Sequence, residues 1–342
     1  MVPGLAASLN ARARRVRLPL RRPHRAATGT EIWREVVLVE VEDAAGSGWG
    51  ECPTLSERTY AGETTDDAWA ALTSPTGRPG PMALAAVADA RLDAELRAGG
   101  RTLGRPGVRL ERTIVVGLDT PLEELDGHDA PVKLKITPQH LDRLHDARRR
   151  WPHRRLMADA NGSFGDPGQL TDVLDEVRLT YLEQPFPAGD LRSHAALRDC
   201  VATPIALDES IRTAWDLRAA AAAGAVDLVS IKPARVGGVE AAMRLIEVAA
   251  ELGVGGFVGG MLETGIGRAA ALRVASDPWF VLPTDLGPSR QYFLDDLCDP
   301  IEGDDTTVVV PDGPGLGRNP DPDRLVAVTV AESSVCCRFT QE

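Results

Sequence analysis

Five short apolar runs in this chain each end on an ionisable residue, and those residues recur at almost constant spacing. Lys135, Asp159, Glu183, Asp208 and Lys232 are separated by 24, 24, 25 and 24 residues. A gap of that length holds one strand, a turn, one helix and the return to the next strand. The five runs cover 132–136, 156–159, 179–183, 205–208 and 226–232. Further apolar runs at 114–117, 255–258 and 280–282 bring the total to eight. Eight such runs alternating with amphipathic segments predict a parallel (β/α) barrel. Between Gly238 and Leu252, for example, Val239, Met243, Ile246 and Ala250 share one helical face, and Gly253 stands where a C-cap glycine belongs. A doubly wound open sheet is the rival architecture, but no GxGxxG follows the first run.

The repeat predicts a catalytic barrel over 106–299, in an α/β fold completed by an α+β capping domain from 1–105 and 300–342. In the first part, 13–20 reads as an edge strand entering a loop. Strands follow at 35–41 and 49–52 around a Gly46-Ser47-Gly48 turn, and helices at 64–72 and 82–96. In the last part, 306–310 and 325–330 read as strands returning to the N-terminal module, with a loose tail beyond Ser333. A chain of 342 residues, 43% hydrophobic, can bury cores for both. The net charge of −12 argues against a nucleic-acid or anionic-membrane partner. No apolar run reaches the roughly 18 residues of a membrane span. The arginines between 12 and 22 lack the apolar stretch of a targeting peptide. Five cysteines, two of them adjacent, form neither a disulfide framework nor a CxxC site. A cytoplasmic protein acting on a small molecule is expected, and nothing in the sequence indicates its oligomeric state.

At the carboxyl ends of barrel strands, ionisable residues face the position where barrel active sites are built. Taken singly, Asp159 and Asp208 read more readily as turn or helix-cap residues than as ligands. Glu183, in Tyr181-Leu182-Glu183-Gln184-Pro185-Phe186, sits in a setting too apolar for an unpaired carboxylate. Three carboxylates at one barrel mouth repel one another unless a cation lies between them. An all-oxygen set favours Mg²⁺, with Mn²⁺ as a substitute, over zinc. In Val132-Lys133-Leu134-Lys135-Ile136 a period of two puts both lysines on one face. Helices cover the outside of a barrel, so that face is the inner one. Lys232 enters from four strands further round. Lysines on opposite sides of a metal can remove a proton beside a carboxylate and steady the resulting enolate.

These segments resemble the muconate-lactonizing-enzyme subgroup of the enolase superfamily. Lys133-Leu134-Lys135 matches its KxK motif. Asp159-Ala160-Asn161, Leu182-Glu183-Gln184-Pro185, Asp208-Glu209-Ser210 and Ile231-Lys232-Pro233 match its later strand-end motifs in order. Gly259-Gly260-Met261-Leu262-Glu263-Thr264-Gly265 is similar to the o-succinylbenzoate synthases and the related N-succinylamino acid racemases. The resemblance implies metal ligation by Asp159, Glu183 and Asp208. It also implies proton abstraction by Lys135, stabilisation by Lys232, and support of Lys135 by Lys133. Asn161, Gly259, Gly260 and Met261 are expected at the substrate, the glycines leaving room for an arm of it. Dehydration of a cyclohexadiene carboxylate is the expected reaction. Racemisation on the same scaffold is the alternative, and a non-catalytic Mg²⁺-binding barrel is a third reading. Loops at 20–29 and 53–62 are expected to cover the mouth.

Overall fold

The structure, a computed structural model, describes residues 10–26, 29–43, 46–58 and 60–336. It opens with β1 (Asn10–Ala26), β2 (Gly29–Asp43) and β3 (Gly46–Cys52), joined antiparallel. Val37, Val39 and Val41 of β2 face one apolar cluster, and Val36 and Leu38 face another. A strand buried on both sides explains why this stretch is continuously apolar rather than alternating. On one side lie α1 (Thr65–Thr73) and α2 (Pro81–Ala98), the first started by a capping box between Thr64 and Asp67. The α2 backbone comes so near β3 that a Cβ on Gly50 would lie 2.0 Å from Ala86 O.

After β4 (Arg109–Glu111) come seven parallel strands. They are β5 (Ile114–Val116), β6 (Val132–Lys135), β7 (Leu156–Asp159), β8 (Leu182–Glu183), β9 (Ile205–Leu207), β10 (Leu228–Ile231) and β11 (Gly255–Val258). They pair in chain order into one curled sheet. The intervening helices are α3 (Asp142–Arg150), α4 (Thr171–Val177), α5 (Leu191–Cys200), α6 (Ala214–Ala222), α7 (Pro233–Val236) and α8 (Val239–Leu252), with α9 (Gly265–Ala275) after β11. Outward side chains such as Val132, Leu134, Leu156, Leu182, Leu207 and Ile231 join the helices in the main core. Met157, Tyr181, Ala206 and Phe257 point the other way and fill the bore.

The eighth position differs from the expected 280–282. The ring is closed by Thr284-Asp285. Thr284 N donates to Glu111 O at 3.0 Å, Thr113 N to Thr284 O at 2.8 Å, and Asp285 N to Val258 O at 3.0 Å. Leu282 instead packs against the cluster in the bore. The apolar residues end where the packing ends, and the polar pair beyond them makes the backbone closure.

The chain ends with α10 (Ser289–Tyr292), β12 (Thr307–Val309), α11 (Pro322–Val328) and β13 (Thr329–Ser334). Five sequence expectations are corrected here. β13 pairs with β1, giving the order β13-β1-β2-β3, so β1 is internal rather than an edge. Leu325–Val328 is helical because the Asp321 side chain caps the turn before it, and the strand starts only at Thr329. β12 pairs with β4 instead of the N-terminal sheet. Residues 20–26 and 29 belong to strands, and Gly46 to Gly48 open β3. Residues 337–342 of the expected tail lie outside the described residues.

Candidate active site

Strand register brings the ionisable residues together. Lys135 pairs with Asp159 across β6 and β7, and Asp159 with Glu183 across β7 and β8. Asp208 and Lys232 directly follow β9 and β10. All five stand at carboxyl ends, and beneath them the bore is floored by Tyr181 stacked on Phe257 at 4.7 Å. Lys133, one layer down, sets its Nζ 4.9 Å from the Phe257 ring centre. It donates to Glu183 Oε2 at 2.5 Å and to Asp285. Lys135 Nζ donates to Asp159 Oδ2 at 2.6 Å and to Asn161 Oδ1 at 2.7 Å. On the far side, Lys232 Nζ donates to Asp208 Oδ2 at 3.0 Å and to the Tyr60 hydroxyl at 2.7 Å. Arg235, one turn beyond Lys232, donates to the same carboxylate and the same hydroxyl.

Left-handed backbone at Asn161 (φ 44°) and Gln184 (φ 41°) turns the chain sharply after β7 and β8. The Gln184 amide then ties two strand ends together. Its Oε1 accepts from Asp208 N at 2.9 Å and Ser210 N at 3.2 Å, and its Nε2 donates to Ser210 Oγ at 2.7 Å.

Asp159, Glu183 and Asp208 stand at neighbouring strand ends, each facing a cation of the protein itself. Among the described residues no three His, Cys, Asp or Glu side chains are placed to hold a metal ion. Each carboxylate rests on its nearest cation instead, because a buried carboxylate takes whatever ammonium or guanidinium lies within reach. The donor set nevertheless fits a hard divalent ion. Glu183 Oε1, Glu209 Oε2 and Asp285 Oδ1 are buried without a hydrogen-bond partner. Burial pushes the Glu183 carboxyl up to about 8; Lys133 opposes this, while Asp159, Asp208 and Asp285 add to it. Burial, with Asp208 and Asp159, likewise pushes Glu209 up to about 7. Acceptor oxygens in excess of cations, all from carboxylates, suit Mg²⁺.

The loop at 53–62 reaches the mouth through Tyr60. The β1–β2 hairpin lies over the loops after β5 and the eighth segment, with Arg22 paired to Glu124 at 2.9 Å and Arg21 donating to Arg290 O at 3.0 Å. Gly259 proves to be a passage for a side chain of this protein: a Cβ there would lie 2.7 Å from both Lys232 Cε and Ser230 Oγ. The missing side chain at this position leaves room for Lys232. At Gly260 a Cβ would meet Leu286 at an ordinary 3.4 Å. Met261 is buried in the same cluster as Tyr60. Sequence reasoning missed Asp285, Tyr60 and Arg235 as members of the site. Arg235 alone carried a signal, one helical turn beyond Lys232 on the inward side.

A capped α/β barrel with lysines and carboxylates on facing strand ends defines a class of enzyme, and comparison with known proteins identifies it. The family described as Enolase C-terminal domain-like matches residues 124–324. The N-succinylamino acid racemase of an Amycolatopsis species is 36% identical, covering 93% of this chain and 96% of its own. The o-succinylbenzoate synthase of Geobacillus kaustophilus is 34% identical, covering 90% and 92%. The structure of a probable mandelate racemase from Alicyclobacillus acidocaldarius superposes with a TM-score of 0.83 at 34% identity, covering 96% of this chain and 99% of that one. The chain belongs to the enolase superfamily, in its muconate-lactonizing branch.

Proposed function

We propose that this enzyme is an o-succinylbenzoate synthase, removing water from 2-succinyl-6-hydroxy-2,4-cyclohexadiene-1-carboxylate on the route to menaquinone. The observation that best supports this reading is the unequal setting of the two facing lysines. Lys135 has two acceptors at the rim, whereas Lys232 is held between Asp208 and Tyr60 with Arg235 alongside. A syn elimination asks for one base and one cation, and of the two lysines only Lys232 shares its carboxylate with a second cation, Arg235. Lys135 takes the proton from the ring carbon that bears the carboxylate. The electron pair becomes the new ring double bond as the C–O bond of the hydroxyl breaks, and the same proton leaves on that oxygen as water. Lys232 remains an ammonium facing the charge that develops in between. Burial and Arg235 lower its pKa, but Asp208 and Tyr60 outweigh them and raise it. Lys133, paired to Glu183 and Asp285, adds positive charge beneath Lys135. Asp159, Glu183 and Asp208 would hold Mg²⁺, which offsets charge on the substrate carboxylate. Asn161, beside Lys135, and Gly260 and Met261, after β11, are the proposed substrate neighbours.

Racemisation of N-succinylamino acids is the second reading. Arg235 favours it, since a guanidinium beside Lys232 works toward the neutral amine that a second base needs. The test is a direct assay of both substrates with Mg²⁺, following o-succinylbenzoate by absorbance and racemisation by chiral chromatography. Dehydration should lead by roughly tenfold or more in kcat/KM. The opposite ratio would make the protein a racemase, and no turnover of either would leave a binding protein.

A further inference from the structure

Arg34, on β2, is one of the largest fully buried side chains among the described residues, with 1% of its surface exposed. Its guanidinium spans two loops that are far apart in the chain. Nη1 donates to Thr54 O at 2.8 Å and Nη2 to Pro53 O at 2.5 Å. Nε donates to Leu262 O at 3.0 Å and Nη2 also to Met261 O at 3.1 Å. A longer contact reaches Glu35 O at 3.5 Å, and Glu31 Oε2 lies 3.5 Å away as the counter-charge. Burying an ionised group is costly, and this one spends its fork on backbone carbonyls of the two loops.

Both loops carry parts of the mouth. The first brings Tyr60 to Lys232 and Asp208. The second begins with Gly259, against which Lys232 lies, and its Met261 shares an apolar cluster with Tyr60. Leu262 is held in left-handed backbone at φ 56°, a conformation costly for leucine, and its carbonyl is one of the four that Arg34 grips.

We propose that Arg34 is a positioning residue that locks residues 53–62 and 259–264 into one roof and so sets the affinity for substrate. The affinity part rests on the functional reading above; the locking does not. A planar fork can serve both loops at once, and the single point charge of lysine cannot.

The experiment compares wild-type protein with Arg34→Lys by hydrogen–deuterium exchange and by kinetics with Mg²⁺. Exchange should rise together in 53–62 and 259–264 while β2 and the barrel strands keep their protection. KM should rise about tenfold with kcat changed far less, since misplaced walls weaken binding before chemistry. Faster exchange in one segment or neither, or a general loss of protection, would overturn the proposal. Joint exchange with an unmoved KM would overturn its link to substrate. Arg34→Gln, which also removes the buried charge, makes the same test if the lysine variant does not fold. The exchange measurement needs no substrate, so it stands even if wild-type protein turns over neither substrate and the functional reading fails.

Discussion

Buried carboxylates line both the barrel mouth and the seam where the N-terminal module meets the barrel, but they are satisfied in different ways. In the mouth, Asp159, Glu183, Asp285 and Asp208 face ammonium or guanidinium groups on side chains. At the seam they face backbone N–H groups. Glu51 accepts from Thr264 N and Gly267 N, both at 2.9 Å, and from Thr264 Oγ1 at 2.5 Å, at the start of α9. Asp89 accepts from Val239 N at 2.7 Å, supplying α8 with the cap that its own Gly238 cannot. Asp93 joins Trp49 N and Leu316 N at 3.0 and 2.6 Å, and alone of the three also pairs with a side-chain cation, Arg97, at 2.8 Å. A backbone donor is fixed by its helix, so a seam carboxylate cannot change partner without local unfolding. A lysine can swing, so a mouth carboxylate can exchange one cation for another. The mouth is arranged for chemistry and the seam for assembly.

The contrast predicts activity defects in the mouth and stability defects at the seam. The largest effect belongs to Lys135→Ala. Dehydration should fall by at least 10²–10⁴-fold, the usual contribution of general acid–base catalysis. Mg²⁺ affinity by calorimetry should hardly move, because no ligand is lost. Deuterium exchange at the α-carbon of a non-eliminating analogue should stop in this variant and persist in Lys232→Ala. Exchange that survives only in Lys135→Ala would make Lys232 the base.

Next is Glu51→Ala, which strips three hydrogen bonds from the start of α9 and leaves buried donors unpaired. Urea denaturation should show a loss of about 3 kcal/mol. The folded fraction should keep kcat/KM within a few-fold of wild type. An inactive variant of unchanged stability would erase the distinction between seam and mouth.

Asp89→Asn sharpens the same distinction through pH. Burial raises the Asp89 carboxyl to about 7, with Glu240 and Asp93 adding to the rise and the bond from Val239 opposing it. Its ordinary value in the unfolded chain is near 4. Between those values the folded chain holds the proton that the unfolded chain has lost, so this group makes stability fall as pH rises from about 4 to 7. Asparagine keeps an acceptor for Val239 N and cannot ionise. The variant should therefore gain on wild type by about 2 kcal/mol between pH 5 and pH 7.5. Parallel stability curves for the two proteins would mean that Asp89 keeps its ordinary titration in the fold.

The mouth was legible in the sequence where a repeat exposed it. Lys135, Asp159, Glu183, Asp208 and Lys232 betray themselves because each interrupts an apolar strand at the same point of a recurring unit. Asp285 escaped because its segment closes the ring by three backbone bonds and has no apolar run of its own, so 280–282 took its place. The seam left no such trace. Glu51 and Asp89 look like solvated charges in a strand and a helix until the barrel supplies the helix ends that they cap. Arg34, in Trp33-Arg34-Glu35, reads as an exposed charge beside a strand for the same reason: its four carbonyl partners come together only in the fold.

Tyr60 is where the two regions meet, and its effect should be the smallest. It comes from the N-terminal module, yet its hydroxyl donates to Asp208 Oδ2 at 3.0 Å and accepts from Lys232 at 2.7 Å. Burial raises its pKa above the ordinary phenol value; Arg235 and Lys232 pull it down and Asp208 adds to the rise. It therefore stays a neutral phenol and takes no proton from substrate. Tyr60→Phe keeps the ring, which lies 4.6 Å from Lys232 Nζ. It leaves Lys232 its bond to Asp208, and Arg235 its bonds to Asp208 and to Ser230 O at 2.8 Å. Only one hydroxyl is lost, and each of its partners keeps another, so stability should fall by about 1 kcal/mol. For the same reason kcat/KM should fall by roughly five- to tenfold, since Lys232 loses one of the two groups that aim it. Thermal unfolding and steady-state kinetics of one preparation measure both. A loss rivalling that of Lys135→Ala would give the phenol a share in proton transfer. No loss in either would mean that the roof touches the mouth without acting on it.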